Sequence, residues 1–473
     1  MRLDFCKEKE TPEGTLYHTI KTMKFRNTIF TKAAALAVAL VFFSSRADAQ
    51  VNPAAQQAQN PAAQPEQPAP LGLTLQQAQE MALQHSTTIL NANLEVQKAE
   101  ASKWQAIASM LPQVSASVDY STNFGYQMDL GAMKISMPPS ASFGITTALA
   151  FSGAQIVSIQ MAEISRKMAD LSLHKSDKEI ADQAKVLYYS ALVTDQTIKL
   201  LEENLESLKK LYDYSASSVR VGITEQTDAD QILVQVNTMA NTISSSKRQL
   251  EMVYNSIRLL LNLDVDTEII LLQDLDNLVN QESVKELMAS EFDIEENYDY
   301  RLLKESTELA RKQVAMTGWS GGPTLSIFHQ YNTKKYFSDD VTMNMTPPNM
   351  LGIQLNVPLF TSWKQGSAVK AARIAYKEQL NTLENTKLAL NIQYRQLLYN
   401  LTSAMERYDT QKQSVEVARR VFDNLAMIYE YGLASSLDLT NAGTSLITAQ
   451  SNYVQALLEM VNAQISLEQL LNK

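Results

Sequence analysis

Cysteine is nearly missing from this chain: among 473 residues only Cys6 is present. It lies ahead of the cleavage signal described below, so the mature chain is expected to hold no disulfide, no thiolate nucleophile and no cysteine-based metal site. Cys6 also lacks the position of a lipid-modified cysteine at a cleaved signal. Histidine is almost as scarce, with four residues. His18 precedes the signal, while His85, His174 and His329 fall on three separate elements with no paired His or Cys motif, so no metal is expected. Glycine, at 14 residues, is about half as frequent as the ~7% usual in proteins and points to long uninterrupted helices. No glycine loop that would cradle a phosphate is present, and no cofactor is expected. The net charge of −10, with no basic cluster interleaved with aromatics, excludes nucleic acid as a partner. No acid, base and nucleophile cluster along the chain, which argues against an enzyme.

What is present begins with a secretory signal. Met23-Lys24-Phe25-Arg26 forms a basic n-region, Ala33 to Phe43 an apolar run, and Ala47-Asp48-Ala49 a small-x-small cleavage site. The run is shorter than the ~17 residues of a membrane-spanning helix. Residues 1–49 are therefore read as an extension plus signal, with translation expected to start at Met23. Residues 50–70 are rich in Pro, Ala and Gln and are read as an extended leader.

The remainder says the same thing twice. Gly222 to Asn262 aligns without gaps on Gly432 to Asn472, placing Asp228 on Asp438 and Leu260-Leu261-Asn262 on Leu470-Leu471-Asn472. Leu446, Ala449, Tyr453, Ala456, Met460, Ala463, Leu467 and Leu470 alternate steps of three and four, a heptad seam. The same shift lands on Val236, Met239, Ile243, Ser246, Leu250, Val253, Ile257 and Leu260. Upstream, Leu390, Tyr394, Leu397, Leu401, Ala404 and Tyr408 correspond to Ile180, Ala184, Leu187, Ala191, Thr194 and Ile198. Each half thus contains a helical hairpin turning at its glycine. The incoming helix of the second half, Trp363 to Tyr431, spans on the order of 100 Å at ~1.5 Å per residue. A further helix opens each half, from Leu75 to Ala99 and near Tyr300 to Thr317. The units are placed at 71–263 and 298–473, joined by an acidic stretch, 264–297, read as a solvated connector.

After Pro112 and Pro323 the period changes from helical to two. Val114, Ala116, Val118, Tyr120, Thr122 and Phe124 face one way, and Ser115, Ser117, Asp119, Ser121 and Asn123 the other. Strands are expected at about 113–125, 141–151, 324–337 and 350–360, each close to the length that crosses a bilayer as tilted β-structure. No mature segment offers ~18 consecutive apolar residues, so membrane passage must use these strands. Backbone in lipid must be paired, and four strands cannot close a barrel, since membrane barrels begin at about eight. Several copies must share one barrel; two copies and three both satisfy the count.

The order helix, strand, strand, long helix, glycine turn, helix, its duplication, and the Asn356-Val357-Pro358-Leu359-Phe360 lead-in to the long helix resemble the TolC family of outer-membrane efflux proteins over roughly Leu71 to Lys473. The resemblance implies a mainly α protein with a small β part. In that family three protomers share a twelve-stranded transmembrane β-barrel continued by a periplasmic α-helical tunnel. It further implies a homotrimer in outer-membrane lipid, docked to a periplasmic adaptor and driven by an inner-membrane pump, exporting small toxic molecules. An exit duct for type I protein secretion has the same architecture. A soluble periplasmic coiled-coil scaffold would explain the heptads but not the amphipathic strands.

Residue by residue, Val221-Gly222-Ile223 and Tyr431-Gly432-Leu433 match the family's hairpin tips, which meet the adaptor; glycine there also serves a tight turn. Asp228 and Asp438 match carboxylates that ring the periplasmic constriction, although each also suits a first helical turn, and Ser435 with Asp438 has the spacing of a capping box. Asn441 stands where some relatives carry a second acid. Tyr429 is expected to bond Asp228 across neighbouring hairpins, and Ala434 replaces an arginine of a relative's closing network. Tyr120, Phe124, Tyr331, Tyr336 and Phe337 are candidates for the aromatic girdles of the barrel.

Overall fold

The computed structural model describes residues 70–472 apart from 125, 130, 132, 133, 137, 223, 224, 274–280 and 338–346. The signal and all of the leader but Pro70 lie outside the described residues, as does Ile223. Strand β1 (Leu71–Leu73) leads into α1 (Leu75–His85), capped by Thr74, whose side chain and that of Gln77 satisfy each other's backbone amides. Helix α2 (Thr87–Ala108) follows after a break. One continuous helix was expected here, but Ser86 is extended, with ψ 123°. Ser86, Thr87 and Thr88 in a row are weak helix formers, so the interruption falls where propensity is lowest.

Pro112 then ends the helical run, and β2 (Gln113–Ser121) begins. A small hairpin, β3 (Gln127–Asp129) with β4 (Lys134–Ser136), precedes β5 (Ser140–Ser152). The rods come next: α3 (Gly153–Arg220) and α4 (Gln226–Leu261). Strand β6 (Ile269–Leu271), α5 (Gln281–Met288) and α6 (Tyr298–Ser320) lead to β7 (Thr324–Tyr336) and β8 (Asn349–Asn356). Helices α7 (Lys364–Glu430) and α8 (Ser436–Leu471) complete the second half. With 67 residues, α7 runs on the order of 100 Å.

The duplication extends to capping chemistry. The shift that puts Gly222 on Gly432 also puts Gln155 on Gln365. Gln155 donates from Nε2 to Ser109 O at 3.1 Å, closing the end of α2. Gln365 donates to Thr317 O and to Gly318 O, closing the end of α6. In both halves a glutamine from the first turn of the rod satisfies orphan carbonyls of the shorter helix beside it.

The stretch 264–297 departs from a solvated connector. Ile269–Leu271 pairs in parallel with Leu71–Leu73, and Ile269, Val284 and Leu287 are buried. Arg258 Nε donates to Thr267 O at 2.8 Å, tying the turn after α4 to its helix. The acidic residues hid a thin apolar face that three well-spaced side chains suffice to make.

One order runs through both layers. The sheet is β2-β5-β7-β8, antiparallel throughout. The helices beneath pack as α2 on α3, α3 on α6 and α6 on α7. Further along the rods, α4 lies against α3 and α8 against α7, and the heptad seams are the core: Val236, Met239, Ile243, Leu446, Met460 and Leu467 are buried.

Candidate functional site: a two-faced sheet and paired helical tips

Directly paired residues of an antiparallel sheet share a face, so the register sorts every side chain. On one face lie Val114, Ala116, Val118 and Tyr120; Phe143, Ile145, Thr147, Leu149 and Phe151; Leu325, Ile327, His329 and Tyr331; Leu351, Ile353 and Leu355. Most are apolar, and Val114, Val118, Leu351 and Ile353 are exposed. The other face holds Ser115, Ser117, Ser142, Thr146, Ser326, Gln330, Asn332 and Gln354. A soluble sheet buries its apolar face; this one displays it, as lipid contact requires. The outer edges of β2 and β8 pair with no further strand among the described residues.

Of the aromatic candidates, Tyr120 and Phe337 meet with ring centroids 6.1 Å apart at the end of the sheet remote from the helices. Tyr331 lies on the apolar face opposite Ile145. Tyr336 pairs with Ser140 and falls on the polar face, with Lys334 Nζ 4.9 Å above its ring. Phe124 follows β2 with φ 48° and is exposed.

At the opposite end the rods turn. Gly222 and Gly432 have φ of +78° and +72°, the left-handed region glycine enters without penalty. Leu433 N donates to Ile428 O at 3.1 Å, closing the last turn of α7. Val221, Tyr431 and Leu433 are exposed apolar side chains around these turns.

The two tips are bonded to each other within one chain. Tyr429, buried, shares a 3.1 Å hydrogen bond with Ser215, whose exposure is 0%. Ser436 Oγ donates to Asp228 Oδ1. Gln235 Nε2 donates to Thr440 O at 3.0 Å, and Asn204 Nδ2 to Gln450 Oε1 at 2.5 Å. Asp438 instead caps its own helix, accepting from Ser435 Oγ at 2.7 Å while its amide donates to that hydroxyl at 3.1 Å. Tyr429 therefore bonds Ser215, not Asp228. Asn441 is exposed on α8.

Elsewhere, a polar cavity of about 410 Å³ lies between α3, α6, α7 and the end of α8, lined by Lys175, Lys178, Asp182, Asn297 and Gln469 among others. Asp182 is 2% exposed, and its Oδ1 lies 3.2 Å from Lys178 Nζ. Burial raises its pKa, against the lowering pull of Lys178. Nearer the sheet, Glu163 joins α3 to α2 through Lys103 at 2.9 Å and also pairs with Arg166 at 3.1 Å; these cations hold its carboxyl down at about 2. Among the described residues no group of three or more His, Cys, Asp or Glu is placed to hold a metal ion, and no helix is long and apolar enough to cross a membrane.

A family model described as outer membrane efflux protein matches residues 78–263 and 296–473. The chain belongs to that family. It is 22% identical over 372 residues to outer membrane protein TolC of Salmonella enteritidis, covering 74% of this chain and 72% of the relative. To TolC of Escherichia coli (strain K12) it is 19% identical over 377 residues, covering 77% and 75%. The solved outer membrane protein VceC of Vibrio cholerae shares the fold with a TM-score of 0.69 at 15% identity, covering 84% of this chain and 95% of that one. As an outer membrane efflux protein it resides in the outer membrane, with its helical part in the periplasm.

Within this family member, sequence reasoning found the turns and strands but missed Ser215, Ser436, Gln235, Asn204 and Gln450, which join the hairpins. One signal was available. Ser435 aligns on Glu225, so only the second hairpin has a hydroxyl to cap its helix, and only its aspartate is committed locally.

Proposed function

We propose that three copies of this chain close one twelve-stranded barrel and form a passive duct through which an inner-membrane pump, coupled by a periplasmic adaptor, expels small toxic molecules. The observation that carries this is the open four-stranded sheet, lipid-compatible on one face and polar on the other, with both edges unpaired among the described residues. Thirteen residues of β7 give ~43 Å of strand, or ~33 Å of height at a tilt near 40°, enough for the apolar band of a membrane barrel. The free edges match below the sheet as well. Helix α2 exposes Leu90, Leu94 and Trp104 on one stripe, and α7 exposes Ile374, Leu388, Ile392 and Tyr399. Joining β8 of one copy to β2 of the next brings these two stripes toward each other.

In this reading Val221, Gly222, Ile223, Tyr431, Gly432 and Leu433 meet the adaptor, and Asp228, Asp438, Asn441 and Tyr429 form the periplasmic gate. The hydrogen bonds between the tips support a gate in which the hairpins of one chain move together, and the aromatic girdle rests on Tyr120, Phe337 and Tyr331. Cysteines on the outer edges of β2 and β8 should give a ladder ending at three linked chains after oxidation in outer membranes, and planar bilayers should show discrete channels. A ladder ending at two, or a mature chain that stays monomeric in water without detergent, defeats the proposal. Gly222 and Gly432 replaced together by bulky residues should abolish drug efflux with trimers retained; unchanged resistance removes the docking role.

A further inference from the structure

Charge is almost absent from the polar face of the sheet. Among its described residues only Asp119 on β2 and Lys334 on β7 are charged, and both pair with Ser142 of the strand between them. They therefore stand in one cross-strand row near the end remote from the helices, two strands apart, or ~10 Å at ~4.8 Å per strand. Strand order makes this row special. In a closed ring of β2-β5-β7-β8 units, the acid-bearing and base-bearing strands alternate at every second strand, across the seams as within a copy. Strand tilt lifts one charge above the other by only about 6 Å within a copy.

We infer that Asp119 and Lys334 form an alternating, self-compensating charge ring at the outer mouth, which keeps that mouth neutral to permeating ions and to cargo of either sign. This rests on the three-copy duct proposed above. Opposite charges at this spacing cancel beyond a few ångströms, whereas three like charges left alone act over about a Debye length, ~10 Å at 0.1 M salt. Lys334 lies over the ring of Tyr336 on the same face, which keeps its ammonium at the wall. Among the described residues of the four strands, the rest of that face is Ser, Thr, Gly, Ala, Asn, Gln, Met, Phe and Tyr.

The test is the cation-to-anion permeability ratio of single channels in a KCl gradient. Asp119→Asn should move it toward anions and Lys334→Gln toward cations, each by about twofold or more at ~0.1 M salt. Both shifts should shrink at ~1 M, where the Debye length is ~3 Å. The double variant Asp119→Asn with Lys334→Gln should return to the parent ratio. Channels whose ratio is untouched by either single substitution at low salt, or single shifts of the same sign, overturn the ring while leaving the duct standing. Absence of channels from the unsubstituted protein sinks the duct itself.

Discussion

Two neighbouring residues of β8 test the assignment of the sheet's faces. Leu351 pairs with His329, which pairs with Thr147, near the middle of the thirteen-residue strand β5, on the apolar face. Met350 pairs with Gln330 and lies on the polar face. Both are exposed in the single chain, at 72% and 48%, so burial alone predicts that arginine is tolerated at either. In a barrel their fates separate. An arginine facing lipid near the midplane costs about 2–4 kcal/mol, whereas a lumen position meets water. That is a ~30- to ~900-fold loss per copy, and about 6–12 kcal/mol for a trimer if the three sites act independently. Leu351→Arg should therefore deplete the unheated, SDS-resistant oligomer in outer membranes, while Met350→Arg should leave it near the parent level. Ile353→Arg, one pleat closer to the helices, should fail in the same direction by a smaller amount, because the cost falls toward the interface. Equal assembly of the Leu351 and Met350 variants, or failure of the second alone, would refute the face assignment.

The tips offer a double-mutant cycle: Tyr429→Phe and Ser215→Ala each strand a buried hydroxyl, at about 1–3 kcal/mol, whereas both together should be nearly neutral. Amide exchange around 215–221 and 427–433 reads it, and simple additivity counts against the bond. Gly432→Val forces a β-branched residue to a φ of +72° and should destabilise by about 1–2 kcal/mol. Gly318→Ala, in a helix with open space at its Cβ, should instead stabilise by about 0.5–1 kcal/mol in thermal melts. Asp182 has its pKa raised by burial. Its favourable contribution is complete below the unfolded carboxylate value of about 3.9 and is lost as pH rises through the folded value. Asp182→Asn should raise the melting midpoint at neutral pH and flatten its pH dependence, and an unchanged slope contradicts this.

Long-period features were legible because they repeat. The glycine turns, the heptad seams and the strand alternation each involve many residues obeying one spacing, so Lys364–Glu430 and Thr324–Tyr336 fell within a residue or so of expectation. Features made by one or two residues were not. The break at Ser86 turns on three weak helix formers inside an otherwise periodic run. Strand β6 is three residues long in an acidic context and exists because Leu71–Leu73, about two hundred residues earlier, pairs with it. Tyr429 was assigned to Asp228 by likeness alone. Its real partner, Ser215, sits on the incoming helix of the other hairpin, a position no local pattern marks.

Duplication explains why the two aspartates differ, and it yields a last prediction. Identical halves would make identical tips, each capping its own helix and neither holding the other. Here Ser435 captures Asp438, while Glu225 makes no side-chain cap, which leaves Asp228 able to accept from Ser436 across the hairpins. Glu225→Ser restores the missing capping partner. The added cap should stabilise the start of α4 by about 0.5–2 kcal/mol while drawing Asp228 away from Ser436. Amide exchange should therefore slow over 226–230 and quicken over 435–439, and channel openings should become more frequent. Slower exchange at both places would show that the capping box and the tie coexist, and that the halves do not owe their link to the one hydroxyl the first hairpin lacks.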